Sequence, residues 1–144
     1  MTMTENVKSN LNCQKEKTIS FPRFSRYDDK NHLYDYVGYF DINGFAIVRK
    51  KKANGERFGV INLKGEEVVP PDKYTYVSAF SSIGLAKVQN ELGYYGFIDR
   101  SGKEVVQAIY KDANFTSKKN MVSVLINGRF EILNLDEKDN SNSF

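Results

Sequence analysis

The sequence predicts an all-β fold: an antiparallel meander of repeated β-hairpins forming a curved sheet, small open barrel or solenoid. Three observations predict it. One template recurs over Tyr34 to Lys73, Tyr74 to Ile109 and Tyr110 to Lys138. The apolar runs are short, rich in Val, Ile, Tyr and Phe, and alternate with a period of two. Glycine and asparagine punctuate those runs, and no stretch of about ten residues carries helical spacing.

Along the chain, residues 1–17 are polar, rich in lysine and asparagine and without periodicity, which reads as a flexible tail. Alternation begins at Thr18, and residues 18–138 read as a single repeat domain. Residues 18–33 look like an N-terminal half-unit, because Glu16 to Pro22 leading to Tyr34 echoes Gly65 to Pro71 leading to Tyr74. A strand over Thr18 to Phe21 would then cap the first edge of the array. Three units follow, over 34–73, 74–109 and 110–138, and residues 139–144 read as a disordered tail.

Each unit opens on a tyrosine, with an aromatic five or six residues later at Phe40, Phe80 and Phe115. The first strands are expected over Gly44 to Val48, Gly84 to Val88 and Asn120 to Val124. The second strands are expected over Phe58 to Asn62, Tyr95 to Asp99 and Phe130 to Asn134. Asn54-Gly55 and Asn127-Gly128 lie between them, a pair suited to two-residue hairpin turns because both residues tolerate positive φ. Asn90 to Gly93 takes that place in the second unit. A further turn recurs as Asn62 to Gly65 and Asp99 to Gly102, where Asn or Asp accepts local backbone hydrogen bonds and glycine closes the turn. The third unit has Asn134 to Glu137 instead, without glycine, so the array is expected to end there.

Alternation separates two faces. Ala46/Val48, Ala86/Val88 and Val122/Val124/Ile126 form the expected core face. The opposite face carries Phe45, Ile47 and Arg49, then Leu85 and Lys87, then Met121 and Ser123. This face is either covered by neighbouring strands or the N-terminal segment, or met by a partner, in which case Phe45, Ile47, Leu85 and Met121 are the candidate partner-binding residues.

The 144 residues carry a net charge of +3. Residues 1–33 hold six basic and four acidic groups and 34–73 seven and six, while 74–109 hold three of each and 110–144 five of each. This weak bias is not the basic stripe of a dedicated duplex binder. Cys13 is the only cysteine, so no internal disulfide forms. The start of the chain has no apolar secretory core and no run approaches a membrane span, which sets the expectation of a cytoplasmic protein with no membrane partner.

The repeated residues resemble the WG repeat, also called the KWG repeat. The middle unit is the nearest copy, with Gly84-Leu85-Ala86-Lys87-Val88, Tyr95-Gly96-Phe97-Ile98-Asp99, Ser101-Gly102 and Val105-Val106. The first unit gives Phe58-Gly59-Val60-Ile61-Asn62, Gly65 and Val68-Val69-Pro70-Pro71. The resemblance covers residues 34–138. The naming tryptophan is replaced by Phe58, Tyr95 and Phe130, and the glycine after it becomes Glu131 in the third unit. The resemblance implies a β-hairpin array common in bacterial proteins, sometimes attached to enzymatic domains, with binding as its usual role. It brings no family-wide catalytic residues.

Little in the chain points to chemistry. Cys13 and His32 are single and lie outside the units, too few for a cysteine/histidine zinc site, so neither a metal nor a cofactor is expected. Neighbouring acids such as Glu66 and Glu67 point to opposite faces of a strand, and Asp28-Asp29 and Asp35/Asp112 read as turn and edge residues. The protein is expected not to be an enzyme. The sharpest departure from the repeat is Arg49-Lys50-Lys51-Lys52 at the tip of the first hairpin, with Lys118-Lys119 before the third. The favoured expectation is a non-catalytic interaction module binding a protein partner, in the manner of an inhibitor or immunity-type protein acting on a larger bacterial or phage enzyme. Its site would be Arg49 to Lys52 with Phe45, Ile47, Leu85 and Met121. The competing expectation is an RNA or ribonucleoprotein ligand using Arg49, Lys50, Lys51, Lys52, Lys118 and Lys119. A structural repeat fragment is the third.

Overall fold

The computed structural model describes residues 26–137. The expected tails, the strand over Thr18 to Phe21, Cys13 and the start of the Arg23 to His32 loop lie outside them. Among the described residues ten strands run in chain order: β1 Tyr36–Val37, β2 Ala46–Lys52, β3 Gly55–Ile61, β4 Glu67–Val77, β5 Ala86–Asn90, β6 Tyr95–Ile98, β7 Glu104–Tyr110, β8 Ala113–Phe115, β9 Met121–Ile126 and β10 Arg129–Asn134. A 3-10 turn, Leu135–Glu137, follows. Strands β1 to β7 form one sheet and β8 to β10 another, each an antiparallel meander of sequential neighbours, and neither closes into a barrel. Among the described residues no helix is long and apolar enough to cross a membrane.

The repeat is visible in the register. Val37 pairs with Val48, Val77 with Val88 and Ala113 with Val124. Across each hairpin Val48 then pairs with Gly59, Val88 with Gly96 and Val124 with Glu131. Between the first and second units the strand that leaves one hairpin also enters the next, as β4 does. Between the second and third units the same path is interrupted at Lys111 and Asp112, giving β7 and β8 and so a second sheet.

One turn serves five times. Asn62 Oδ1 accepts the N–H groups of Lys64 and Glu66 at 2.9 and 3.0 Å, while the Gly65 N–H donates to the Asn62 carbonyl at 2.9 Å. Asp99 to Gly102 and Asn90 to Gly93 repeat this geometry, as the sequence predicts for the first. Asp41 to Gly44 repeats it too, and Ser81 to Gly84 closes the same way with the Ser81 hydroxyl accepting the Leu85 N–H at 3.4 Å; the sequence reading did not anticipate either. All five closing glycines have φ between 82° and 89°. Burial alone would raise the Asp99 carboxyl, but hydrogen bonds from the Ser101 hydroxyl and the Lys103 and Ser101 N–H groups, with the Lys103 charge, bring it below the usual carboxylate range.

The hairpin turns divide. Asn127 and Gly128 both take positive φ, 51° and 82°, as expected of a mirror-image two-residue turn. At Asn54-Gly55 the expectation is corrected by one residue: Lys52 pairs with Gly55, so Ala53 and Asn54 form the turn and only Gly55 is positive, at 116°.

Packing is two-sided, because the hairpins stack. Val60 of the first unit buries with Val77, Ala86, Val88 and Ile98 of the second, joined by half-buried Phe45, Ile47 and Phe58. Phe97 of the second buries with Ala113, Val122 and Val124 of the third, joined by Tyr95. Ala46, Val48 and Ile61 of the first are covered by Phe40, with Tyr27, Tyr34 and Val37 against them. One face of each hairpin, built of small and β-branched side chains, thus receives the bulkier face of the unit before it. Each fully buried aliphatic side chain in such a contact contributes about 1.5–3 kcal/mol. Of the two readings of the face of Phe45, Ile47 and Leu85, cover by neighbouring strands holds and an exposed surface does not: the first two line the contact between units and Leu85 is buried.

Gly59 and Gly96 have a separate reason. A Cβ at Gly59 would stand 2.5 Å from the Val69 carbonyl oxygen, and one at Gly96 only 2.4 Å from that of Val106. The next strand crosses directly over each glycine, where the register shifts between β3 and β4 and between β6 and β7. Strand β10 has no further strand beside it among the described residues, and Glu131 stands exposed at the same register position.

Candidate docking surface on the first hairpin

The first hairpin outgrows its relatives. Arg49 paired with Phe58 corresponds to Gln89 paired with Tyr95, which is the last pair of the second hairpin. In the first hairpin three more pairs follow, Lys50 with Arg57, Lys51 with Glu56 and Lys52 with Gly55. The extension is where the sequence stops repeating and turns basic.

It is braced against the stack. Arg57 falls on the same face as Gly59 and Ile61, so alternation drives it inward. Its guanidinium is buried, with Nη2 2.9 Å and Nε 3.1 Å from Glu91 Oε2 in the turn of the second hairpin. Its Nη1 donates to the Glu56 carbonyl at 3.0 Å. On the other side Asp35 Oδ2 accepts the Lys51 N–H at 2.6 Å, and the Asp35 N–H donates to the Arg49 carbonyl at 2.9 Å. Both strands of the extension are tied to neighbours, one by an ion pair and one by backbone bonds.

Arg49 is itself engaged. Its guanidinium lies 4.1 Å from the centre of the Tyr36 ring and 5.6 Å from that of Phe58, and Nη1 meets Glu56 Oε1 at 3.4 Å. Phe58 in turn packs at 5.6 Å on Tyr76. Tyr36, Arg49, Phe58 and Tyr76 thus form a row across β1 to β4. Contacts of the guanidinium over an exposed ring contribute about 0.5–1 kcal/mol. Beyond the row Lys50 is half-buried, Lys51 and Lys52 are exposed, and among the described residues no carboxylate pairs with these three ammonium groups.

The other expected site residues lie apart. Phe45 packs on Phe80 with ring centres 5.4 Å apart, and Ile47 lies in the same contact between units. Leu85 borders a groove with Ile83, Val105, Lys119, Asn120, Leu135 and Asp136. Met121 is half-buried at the start of β9. Lys118 and Lys119 are exposed just before β9, the end of that hairpin away from its tip, so they do not join Arg49 to Lys52 in one patch. The acids considered for chemistry have structural partners: Glu67 accepts the Tyr34 hydroxyl, Glu66 the Asn62 amide, and Asp29 the N–H groups of Leu33 and Tyr34. Sequence reasoning missed the bracing by Arg57 and Glu91 and the place of Tyr76 in the row. Arg57 was findable from alternation alone; the pairing of two hairpins in space was not.

Comparison with known proteins adds one match. A family model described as WG containing repeat matches residues 31–52, 58–91 and 95–130, well over half of the chain. The gap between the first two matched segments falls on the tip of the extension. No curated protein and no solved structure matches the chain.

Proposed function

The chain belongs to the WG repeat family, and from that premise we propose that it is a non-catalytic interaction module that docks an acidic surface of a protein partner with its first hairpin. The observation that carries this reading is the trio Lys50, Lys51 and Lys52, without a carboxylate partner among the described residues, on an extension held by Arg57–Glu91 and by Asp35. Holding like charges together at a braced tip suits long-range attraction to an opposite surface, and it raises the rate of encounter more than the affinity. A rigid projection of this kind suits occlusion of a partner's working surface, as an inhibitor or immunity-type protein acting on a larger bacterial or phage enzyme would need.

The test is affinity purification of the full chain beside its Lys51→Glu/Lys52→Glu variant, with protein and nucleic acid both identified. A protein recovered with the first and absent from the second supports the reading; identical eluates would sink it. A nucleic-acid ligand is the second reading, favoured by the half-exposed rings of Tyr36 and Tyr76 beside these lysines. Against it, Arg49 already covers the Tyr36 ring and Phe58 packs on Tyr76. Direct binding to a single-stranded RNA that weakens steeply with salt would favour it instead.

A further inference from the structure

The far end of the stack carries a surface whose counterparts are both covered. Val60, Phe97 and Ile132 hold one register position, opposite Ile47, Lys87 and Ser123. Val60 and Phe97 are 0% exposed, whereas Ile132 is 58% exposed and Phe130 beside it 57%. The edge shows the same contrast. Strands β3 and β6 are each paired on both sides, but β10 is paired only with β9 among the described residues. Its free edge is the one to which β3 and β6 bind β4 and β7. An open edge with an apolar face is a template for another strand.

The residues along β10 say which strand fits. Phe130 and Ile132 point to one face; Arg129 and Glu131 alternate with them on the other. Antiparallel pairing of β10 with itself about Phe130 sets Phe130 against Phe130 and Arg129 against Glu131 of the second copy, twice over. Moving the axis by one residue sets Glu131 against Glu131 or Arg129 against Arg129, and like charges directly opposite destabilise a sheet. The strand is its own complement in one register and repels itself in the two beside it, which an isologous contact requires.

We propose that two copies of this protein associate through β10, joining their three-stranded sheets into one six-stranded sheet in which Phe130 meets Phe130 of the second copy at the seam and Ile132 flanks it diagonally. This goes beyond the docking reading and does not rest on it. The pair would carry two basic tips, so a partner with repeated acidic sites would be held more tightly than by one copy.

The test is sedimentation equilibrium of the full chain at micromolar concentrations and physiological salt, with circular dichroism to confirm folding. The expected mass is that of a dimer. Ile132→Lys and Glu131→Arg each give the monomer, and the paired exchange Arg129→Glu with Glu131→Arg restores the dimer. A monomer at every concentration overturns the proposal. So does a dimer that survives Ile132→Lys, or one lost by Glu131→Arg and not recovered by the exchange, because the register would be wrong. Ile132→Lys leaves capture of a partner by the first hairpin in place, so failure here and failure of the docking reading are read separately.

Discussion

The Tyr74 hydroxyl donates to Glu104 Oε2 at 2.5 Å, tying the residue that opens the second unit to the strand that leaves it. The first unit repeats the link, with the Tyr34 hydroxyl 2.7 Å from Glu67 Oε2. Glu104 also accepts the Ala108 N–H at 3.3 Å and meets Lys73 Nζ at 3.5 Å. Burial first, then the hydrogen bond and then the charge of the glutamate push both phenols well above the ordinary tyrosine range.

That shift sets an alkaline limit. An unfolded tyrosine ionises near pH ~10, whereas folded Tyr74 keeps its proton, so its stabilisation is complete below that pH and is lost as pH rises beyond it. The slope approaches about 1.4 kcal/mol per pH unit for this residue. Tyr74→Phe costs about 1–2 kcal/mol at neutral pH and flattens the alkaline decline. Denaturation midpoints of both proteins across the alkaline range check this; parallel declines would refute it.

Adding a methyl group at Gly96 or Gly59 should be severe. The atom it meets is a backbone oxygen of the crossing strand, which cannot turn aside. Gly96→Ala is expected to cost about 3 kcal/mol or prevent folding, while Glu131→Ala at the equivalent position changes stability by less than about 0.5 kcal/mol. Urea unfolding of the three variants distinguishes a crossing constraint from a general dislike of side chains at this register.

Removing Glu91 leaves the Arg57 guanidinium buried with the Glu56 carbonyl as its one partner among the described residues. A fully buried pair broken this way costs about 3–5 kcal/mol; with the Glu91 side chain 58% exposed, water takes up part of the loss, and about 1–2 kcal/mol is expected. Glu91→Ala should also speed amide exchange at Lys50 and Arg57 while leaving β9 and β10 unchanged. Uniform exchange along the chain would mean that the extension is not separately braced.

Lys51→Glu with Lys52→Glu should leave folding untouched, within about 0.5 kcal/mol, because both side chains are exposed and no described residue pairs with them. Partner affinity should fall at least about tenfold, through the association rate. Surface plasmon resonance at two salt concentrations checks it: the wild-type rate drops with salt and that of the variant does not.

The turns were the most legible part of the sequence. Asp99 to Gly102 and Asn127-Gly128 fold as their residue types require, since the hydrogen bonds involved are local. Asp41 to Gly44 and Ser81 to Gly84 carry no Asn-Gly signal, because this turn needs only a side-chain acceptor and a glycine three residues later. The second apolar face was illegible for a different reason. Arg49, Lys87 and Ser123 give that side of the first strands a polar look, and its burial depends on Val60 and Phe97 of the second strands meeting another unit. The basic tip stood out in the sequence; the contacts that hold it, Arg57 to Glu91 and Lys51 to Asp35, join positions far apart in the chain.

Stacking a bulky face on a small one also gives the array a direction. Equivalent register positions lie forty and then thirty-six residues apart, at 37, 77 and 113. Duplicating or deleting one such period keeps every bulky face opposite a small one, so the number of units can change without redesigning any contact between them. Growth of the chain is thereby quantised: whole units are accommodated without any change in the contacts between them.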